Sequence, residues 1–351
     1  MIDPVFNDKC TTLIVNCSNL FMPYMDVCFQ SVLDHADQNH FYDFVVLSST
    51  LTKESKAYIE SKYSKNNSKV RFFDPSDILD IENISETLPN YSKESFFKIL
   101  IPRIFPKYKK IIYADVDIIF NCDIQEIQNI DLKGCPIGAT RDFALSYVAE
   151  RINPQIKNYI INTLHIKDIF DYFAAGIIVF DLKNWKEQDV DDMLNMAHNF
   201  QFRFQEQDVF NKHFHGNIFD LPYRYCINTA FINELDKNFL SNEQYYKNCQ
   251  DAIMNPKVIH YSGTAKPWQI LRNDKYEKMW WKAAEKTIFY DLLLTVAKSN
   301  ELKKNIILKY GKPVRYHKYR VLSKITLGKT RSKYKNKYKQ IKTICKNWLN
   351  N

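Results

Sequence analysis

The chain has 351 residues, 45% apolar and 15% aromatic. That is long enough for one large domain with an appendage, or for two domains, and it excludes a disordered or collagen-like protein. The net charge of +9 is unevenly placed: residues 302–351 hold 16 Lys and Arg and no acid, leaving 33 basic against 40 acidic side chains before them. A mildly acidic body with a basic tail is not a protein basic throughout, so any polyanion or membrane-surface role belongs to the tail. The amino terminus carries acids where an export signal would have a basic region, and its apolar run at 12–15 is short, so no signal peptide is expected. The run AAGIIVF at 174–180 falls far below the roughly 18 residues that cross a bilayer. Eight cysteines are scattered without a C-x-x-C pair, which points to reduced thiols of a cytosolic protein rather than to zinc or a disulfide scaffold.

Along the chain, short β-branched and aromatic runs alternate with helical patterns. TTLIVNC (11–17), FYDFVVLSS (41–49) and KVRFFD (69–74) read as strands, with helices over 25–36 and 53–65 between them. This rhythm predicts a mostly parallel sheet covered on both faces. YSKESFFKILIPRIF (91–105) reads as a helix bent or ended by its proline, delivering the chain into the strand KKIIYADVD. Further strands are expected over 135–142, 173–182, 217–222 and 256–263, and helices over 186–213 and 276–299. Seven glycines include neither G-x-G-x-x-G nor G-x-x-x-x-G-K-[ST], which leaves out a dinucleotide turn and a P-loop.

The stretch KKIIYADVDIIF (109–120) sets Asp115 and Asp117 inside an apolar strand. Burying ionised carboxylates costs several kcal/mol each unless a positive charge compensates. In an extended segment both would point to one side and share a hard cation such as Mg²⁺ or Mn²⁺, at the strand end where open α/β sheets bind ligands. HYSGTAKPW (260–268) supplies His260, an imidazole that favours Mn²⁺, Gly263, which lets backbone approach a ligand, and Lys266, a cation fit for a diphosphate oxygen. A D-x-D at a strand end would serve a metal-dependent phosphoesterase or nucleotidyltransferase equally well.

YADVDIIF, FAAGIIVFDLKNW, FQEQDVFN and HYSGTAKPW occur in the order and spacing of glycosyltransferase family 8, which this chain resembles over residues 10–275. The resemblance implies a GT-A fold, a Rossmann-like mixed, mostly parallel sheet flanked by helices, and a retaining hexosyltransferase using a UDP-sugar such as UDP-galactose or UDP-glucose. It implies Mn²⁺ (or Mg²⁺) ligands at Asp115, Asp117 and His260, phosphate contacts at Gly263 and Lys266, and uridine held near Asn16 and Ser18. Lys98 falls where an arginine usually reaches the donor, and Asp142 matches a carboxylate that binds the transferred sugar. Gln207 matches the reacting face, and Glu206 an acid that holds the sugar hydroxyls. Ala174 stands in place of the usual Asn, Glu206 of Asp, and Ser18 and Leu20 of more polar residues.

Domain organisation is therefore expected as a catalytic domain over 1–275, closing helices over 276–300 and a basic helical tail over 301–351. From Arg331 to Leu349 apolar residues recur every three to four positions among lysines, a pattern that suits an anionic membrane surface. The expected acceptor is a glycan or lipid-linked glycan, as in lipopolysaccharide synthesis, with the enzyme peripheral on the cytoplasmic face of the inner membrane. Nucleic-acid binding would explain the tail but neither the acidic body nor the paired aspartates.

Overall fold

The computed structural model describes residues 1–6, 10–78, 93–230, 232, 240–263 and 266–310. Among the described residues, ten strands form two sheets: β1 (Cys10–Asn16), β2 (Phe41–Leu47), β3 (Ser68–Phe73), β4 (Lys110–Ala114), β5 (Ile118–Phe120), β6 (Ile137–Ala139), β7 (Ile177–Asp181), β8 (Phe219–Asp220), β9 (Ile227–Asn228) and β10 (Val258–His260). The main sheet has the order β3-β2-β1-β4-β7-β6-β8. Its first four strands run parallel, and β7 is antiparallel to both β4 and β6. The expected mixed, mostly parallel α/β sheet flanked by helices is thus present.

Alternation along buried strands divides the core. Leu13 and Val15 of β1 face a cluster with Phe29 of the helix Met22–Leu33, whereas Ile14 joins Phe97, Ile101 and Phe210 on the opposite face. Both faces being covered, β1 reads as a continuous apolar run. A satellite cluster of Phe143, Ile160, Tyr172 and Tyr245 fills the space beside the β6–β7 side. The helices Lys275–Ala284 and Tyr290–Tyr310 dock on the first face, where Trp280, Phe289 and Leu293 are buried in the same core as Phe29.

Three expectations change. Residues 93–104 form a 3-10 segment (Lys93–Leu100) followed by one α turn (Ile101–Ile104), not a single α-helix. Pro102 has no N–H to give the Lys98 carbonyl four residues back, so the α ladder cannot run through this point. Asp115 and Asp117 lie in a turn rather than an extended strand, because the chain leaves the main sheet after Ala114 and enters the small sheet at Ile118. The helical patterns over 186–213 and 276–299 each divide in two, at Phe200–Phe204 and at Glu285–Phe289. The proposed tail helix lies outside the described residues from 311 onward. Among the described residues no helix is long and apolar enough to cross a membrane, and the seven cysteines form no disulfide.

Candidate active site

The second sheet explains how residues far apart in sequence meet. Its order is β5-β10-β9, with His260 opposite Ile118 in antiparallel register and opposite Asn228 in parallel register. The residue next to Ile118 is Asp117, so strand pairing alone brings imidazole and carboxylate together. His260 Nε2 lies 3.2 Å from Asp117 Oδ1 and 4.0 Å from Asp115 Oδ2. Among the described residues, this trio is the one group able to hold a metal, with its ligand atoms within 4.8 Å of one another.

Electrostatics separate the two acids. Burial works against the charge of Asp117, yet Lys266 and His260 outweigh it and hold this carboxyl well below the usual range. Desolvation lifts Asp115 above its ordinary value against the pull of Lys98. Burial alone would make His260 less basic, but Asp117 beside it raises the imidazole well above its ordinary value. In the metal-free protein the pairing with Asp117 favours the protonated ring.

Lys98 is 1% exposed and lies at the centre of the polar network. Its Nζ donates to Asp115 Oδ1 at 3.3 Å and to the Ala175 carbonyl at 3.1 Å, and pairs with Glu206 Oε1 at 3.0 Å. The ammonium also stands 4.4 Å from the ring centre of Tyr113, whose hydroxyl donates to the same Asp115 Oδ1 at 2.7 Å. Desolvation would lower the pKa of Lys98, but Asp115 and Glu206 leave it raised.

Gln205–Phe214 is a helix that brings Glu206 and Gln207 to the same region. Gln207 is held at both ends: its Oε1 accepts from the Ala175 N–H at 2.9 Å and its Nε2 donates to Asp142 Oδ2 at 3.1 Å. Asp142 caps the helix Phe143–Tyr147 through Leu145 N at 3.0 Å, and burial raises its pKa. Asn16, ending β1, donates to the carbonyls of Glu94 and Ser95 at 3.1 and 3.3 Å while its Oδ1 finds no partner among the described residues. Ser18 is half-buried just beyond, and its carbonyl accepts from Phe21 N at 3.0 Å.

Gly263 takes φ +76°, the left-handed region that favours glycine, just past β10. Lys266 pairs with Asp117 Oδ2 and lies 5.6 Å from the Trp268 ring, which stacks on Tyr24 of the first helix at 4.2 Å. The structure therefore brings together Asp115, Asp117, His260, Lys98, Lys266 and Glu206. It links Gln207 and Asp142 to them through Ala175, and sets Asn16 and Ser18 at the neighbouring strand end. Ala174 is buried, and its N–H serves the Thr140 carbonyl at 2.9 Å.

Sequence reasoning missed Gly176, Asn211 and Tyr113. A Cβ on Gly176 would lie 2.5 Å from His260 Cε1, 2.6 Å from Nδ1 and 3.3 Å from Asp115 Oδ2. Glycine at 176 lets the imidazole pack on bare backbone, and the two-carboxylate, one-imidazole donor set fits a hard to borderline divalent cation. The Ala-Ala-Gly spelling at 174–176 was the signal available.

A mixed, mostly parallel sheet flanked by helices, with an acid–acid–imidazole cluster at strand ends, is the architecture of the GT-A glycosyltransferases. The family model for glycosyl transferase family 8 matches residues 12–271, and the chain belongs to that family. It is 24% identical over 259 residues to a putative glycosyltransferase of Haemophilus influenzae, covering 73% of this chain and 72% of that protein. It is 23% identical over 176 residues to the lipopolysaccharide 1,2-glucosyltransferase of Escherichia coli, covering 48% of each chain. The solved structure of the bifunctional glycosyltransferase WbbM in its apo form superposes with a TM-score of 0.72 at 23% identity. That match covers 85% of this chain but 53% of WbbM.

Proposed function

We propose that this glycosyltransferase moves a hexose, galactose or glucose, from a UDP-sugar to a lipopolysaccharide or other surface-glycan acceptor, retaining the anomeric configuration. The observation that carries the reading is the convergence of Asp115, Asp117 and His260 within 4.8 Å beside the bare Cα of Gly176. An imidazole among the ligands favours Mn²⁺ over Mg²⁺. When bound, the cation would supply Lewis acidity to the departing diphosphate.

The remaining steps belong to side chains. Lys266 would exchange Asp117 for a diphosphate oxygen, and the Gly263 turn would let backbone approach that group. Asn16 and Ser18 would hold the uridine, and Asp142 a hydroxyl of the sugar. Gln207 is an amide with both ends engaged, a poor nucleophile in a position where retention usually calls for a carboxylate. Attack by the acceptor hydroxyl from the face the diphosphate leaves, with a diphosphate oxygen taking the proton, suits this arrangement.

The glycan class is supported by the likeness to the E. coli lipopolysaccharide enzyme, and the membrane-surface tail by its 16 basic residues. The decisive test measures UDP release from a panel of UDP-sugars with Mn²⁺. Asp117→Ala should abolish it, and substantial turnover by that variant in EDTA would refute the metal assignment. Flotation with anionic but not neutral vesicles tests the tail.

A further inference from the structure

Glu206 is held at both oxygens. Its Oε1 pairs with Lys98 Nζ at 3.0 Å and its Oε2 accepts from Ser95 Oγ at 2.6 Å. Ser95 and Lys98 are three apart on the 3-10 segment Lys93–Leu100, and in a 3-10 helix such residues stand on one face. Both therefore close on the same carboxylate, which is 8% exposed. The acid is thus oriented by one charged and one neutral donor from the same face of that segment.

The other side of Lys98 shows what the closure serves. Asp115 Oδ1 receives both Lys98 and the Tyr113 hydroxyl, so one oxygen is fully used within the chain. Oδ2, 4.0 Å from His260 Nε2, is left facing the cation site. The Ala175 carbonyl, third partner of Lys98, belongs to the residue whose N–H holds Gln207. One buried ammonium thus ties a metal-ligand acid, the β7 approach and the Gln207 helix into a single frame.

We propose that Lys98 and Glu206 form a positioning pair that fixes which oxygen of Asp115 faces the cation site. The inference rests on the metal reading given above. Its content is complementarity of length: a lysine reaching a glutamate spans the gap, so changing one partner misplaces Asp115, and changing both in opposite senses restores it.

The test measures Mn²⁺ affinity on nucleotide-free protein by titration calorimetry, alongside thermal unfolding, for Glu206→Asp, Lys98→Arg and the double variant. Each single change should weaken Mn²⁺ by about tenfold, and the double variant should return to within about threefold of the unsubstituted protein, because contacting residues couple. If a single variant fails to fold, the double variant still decides: folded with weak Mn²⁺ binding, it overturns the proposal. So does a set in which unfolding temperatures fall and recover while Mn²⁺ affinity never moves, which would make the pair merely structural. Absence of Mn²⁺ binding by the unsubstituted protein would overturn the metal reading and this inference with it, whereas normal binding by all variants would overturn this inference alone.

Discussion

Asn211 clasps the backbone of Phe173 on both sides: its Oδ1 accepts the Phe173 N–H and its Nδ2 donates to the Phe173 carbonyl, each at 2.8 Å. Asn211 is buried one turn beyond Gln207 on the same helix, so the clasp fixes that helix against the segment leading to Ala175 and Gly176. Replacing it with alanine strands a buried N–H and a buried C=O, each costing about 1–3 kcal/mol. Asn211→Ala should lower stability by about 2–4 kcal/mol in urea denaturation and slow UDP release, and Asn211→Asp should lose at least as much, since it buries a carboxylate against the Phe173 and Gln207 carbonyls.

Gly176→Ala tests the close packing of the imidazole on bare backbone. The added methyl would lie closer than 3 Å to two ring atoms of His260, and β7 begins at the next residue, so the ring must move rather than the strand. Mn²⁺ affinity should fall by more than tenfold with little change in unfolding temperature, because a metal site tolerates little misplacement of a ligand. Unchanged Mn²⁺ binding would remove His260 from the site.

Lys266 now neutralises Asp117, and a divalent cation must share or displace it. Removing a competing positive charge strengthens attraction for another. Lys266→Ala is expected to raise Mn²⁺ affinity by roughly threefold in the absence of nucleotide, and to weaken UDP binding about tenfold once Mn²⁺ is present. Opposite signs in one variant would mark a lysine that moves between partners.

The imidazole of His260 sets a pH dependence. Its folded value is raised above the ordinary 6.5, so the His260–Asp117 pair stabilises the metal-free protein fully below pH 6.5 and loses that contribution as pH rises through the raised value. A cation needs the neutral ring, so binding expels a proton. Mn²⁺ affinity should rise by up to about tenfold per pH unit across this window, and the heat of binding at pH 7 should vary with the ionisation enthalpy of the buffer. His260→Gln should abolish that variation.

Much of this was legible in the chain. Apolar runs at β1, β2, β4 and β7 are continuous because both sheet faces are covered, and they marked the main sheet by themselves. Short elements were harder: β9 has two residues, and the helices beginning at Phe143, Pro154 and Glu243 declare themselves mainly through capping oxygens of Asp142, Asn153 and Asn242. Asp115, Asp117 and His260 could be paired by motif, but the reason they meet is the antiparallel register of β5 with β10, which no local pattern encodes. Lys98 is marked by the resemblance as a donor contact, but its pairing with Asp115 and Glu206 depends on the 3-10 segment that precedes Pro102. Asn211 looks like an ordinary helix residue, since its partners are the backbone of a segment 38 positions away.

Asp117 and Lys266 are 149 positions apart, and the small sheet joining their segments closes only when β10 has found β5. A ribosome-bound chain that has not yet released residues 258–260 therefore lacks a complete cation site, however well its first strands have assembled. Non-local closure of this kind is slow compared with helix formation. Recovery of Mn²⁺ binding during refolding should lag behind recovery of helical signal, making metal capture a clock for the last step of assembly.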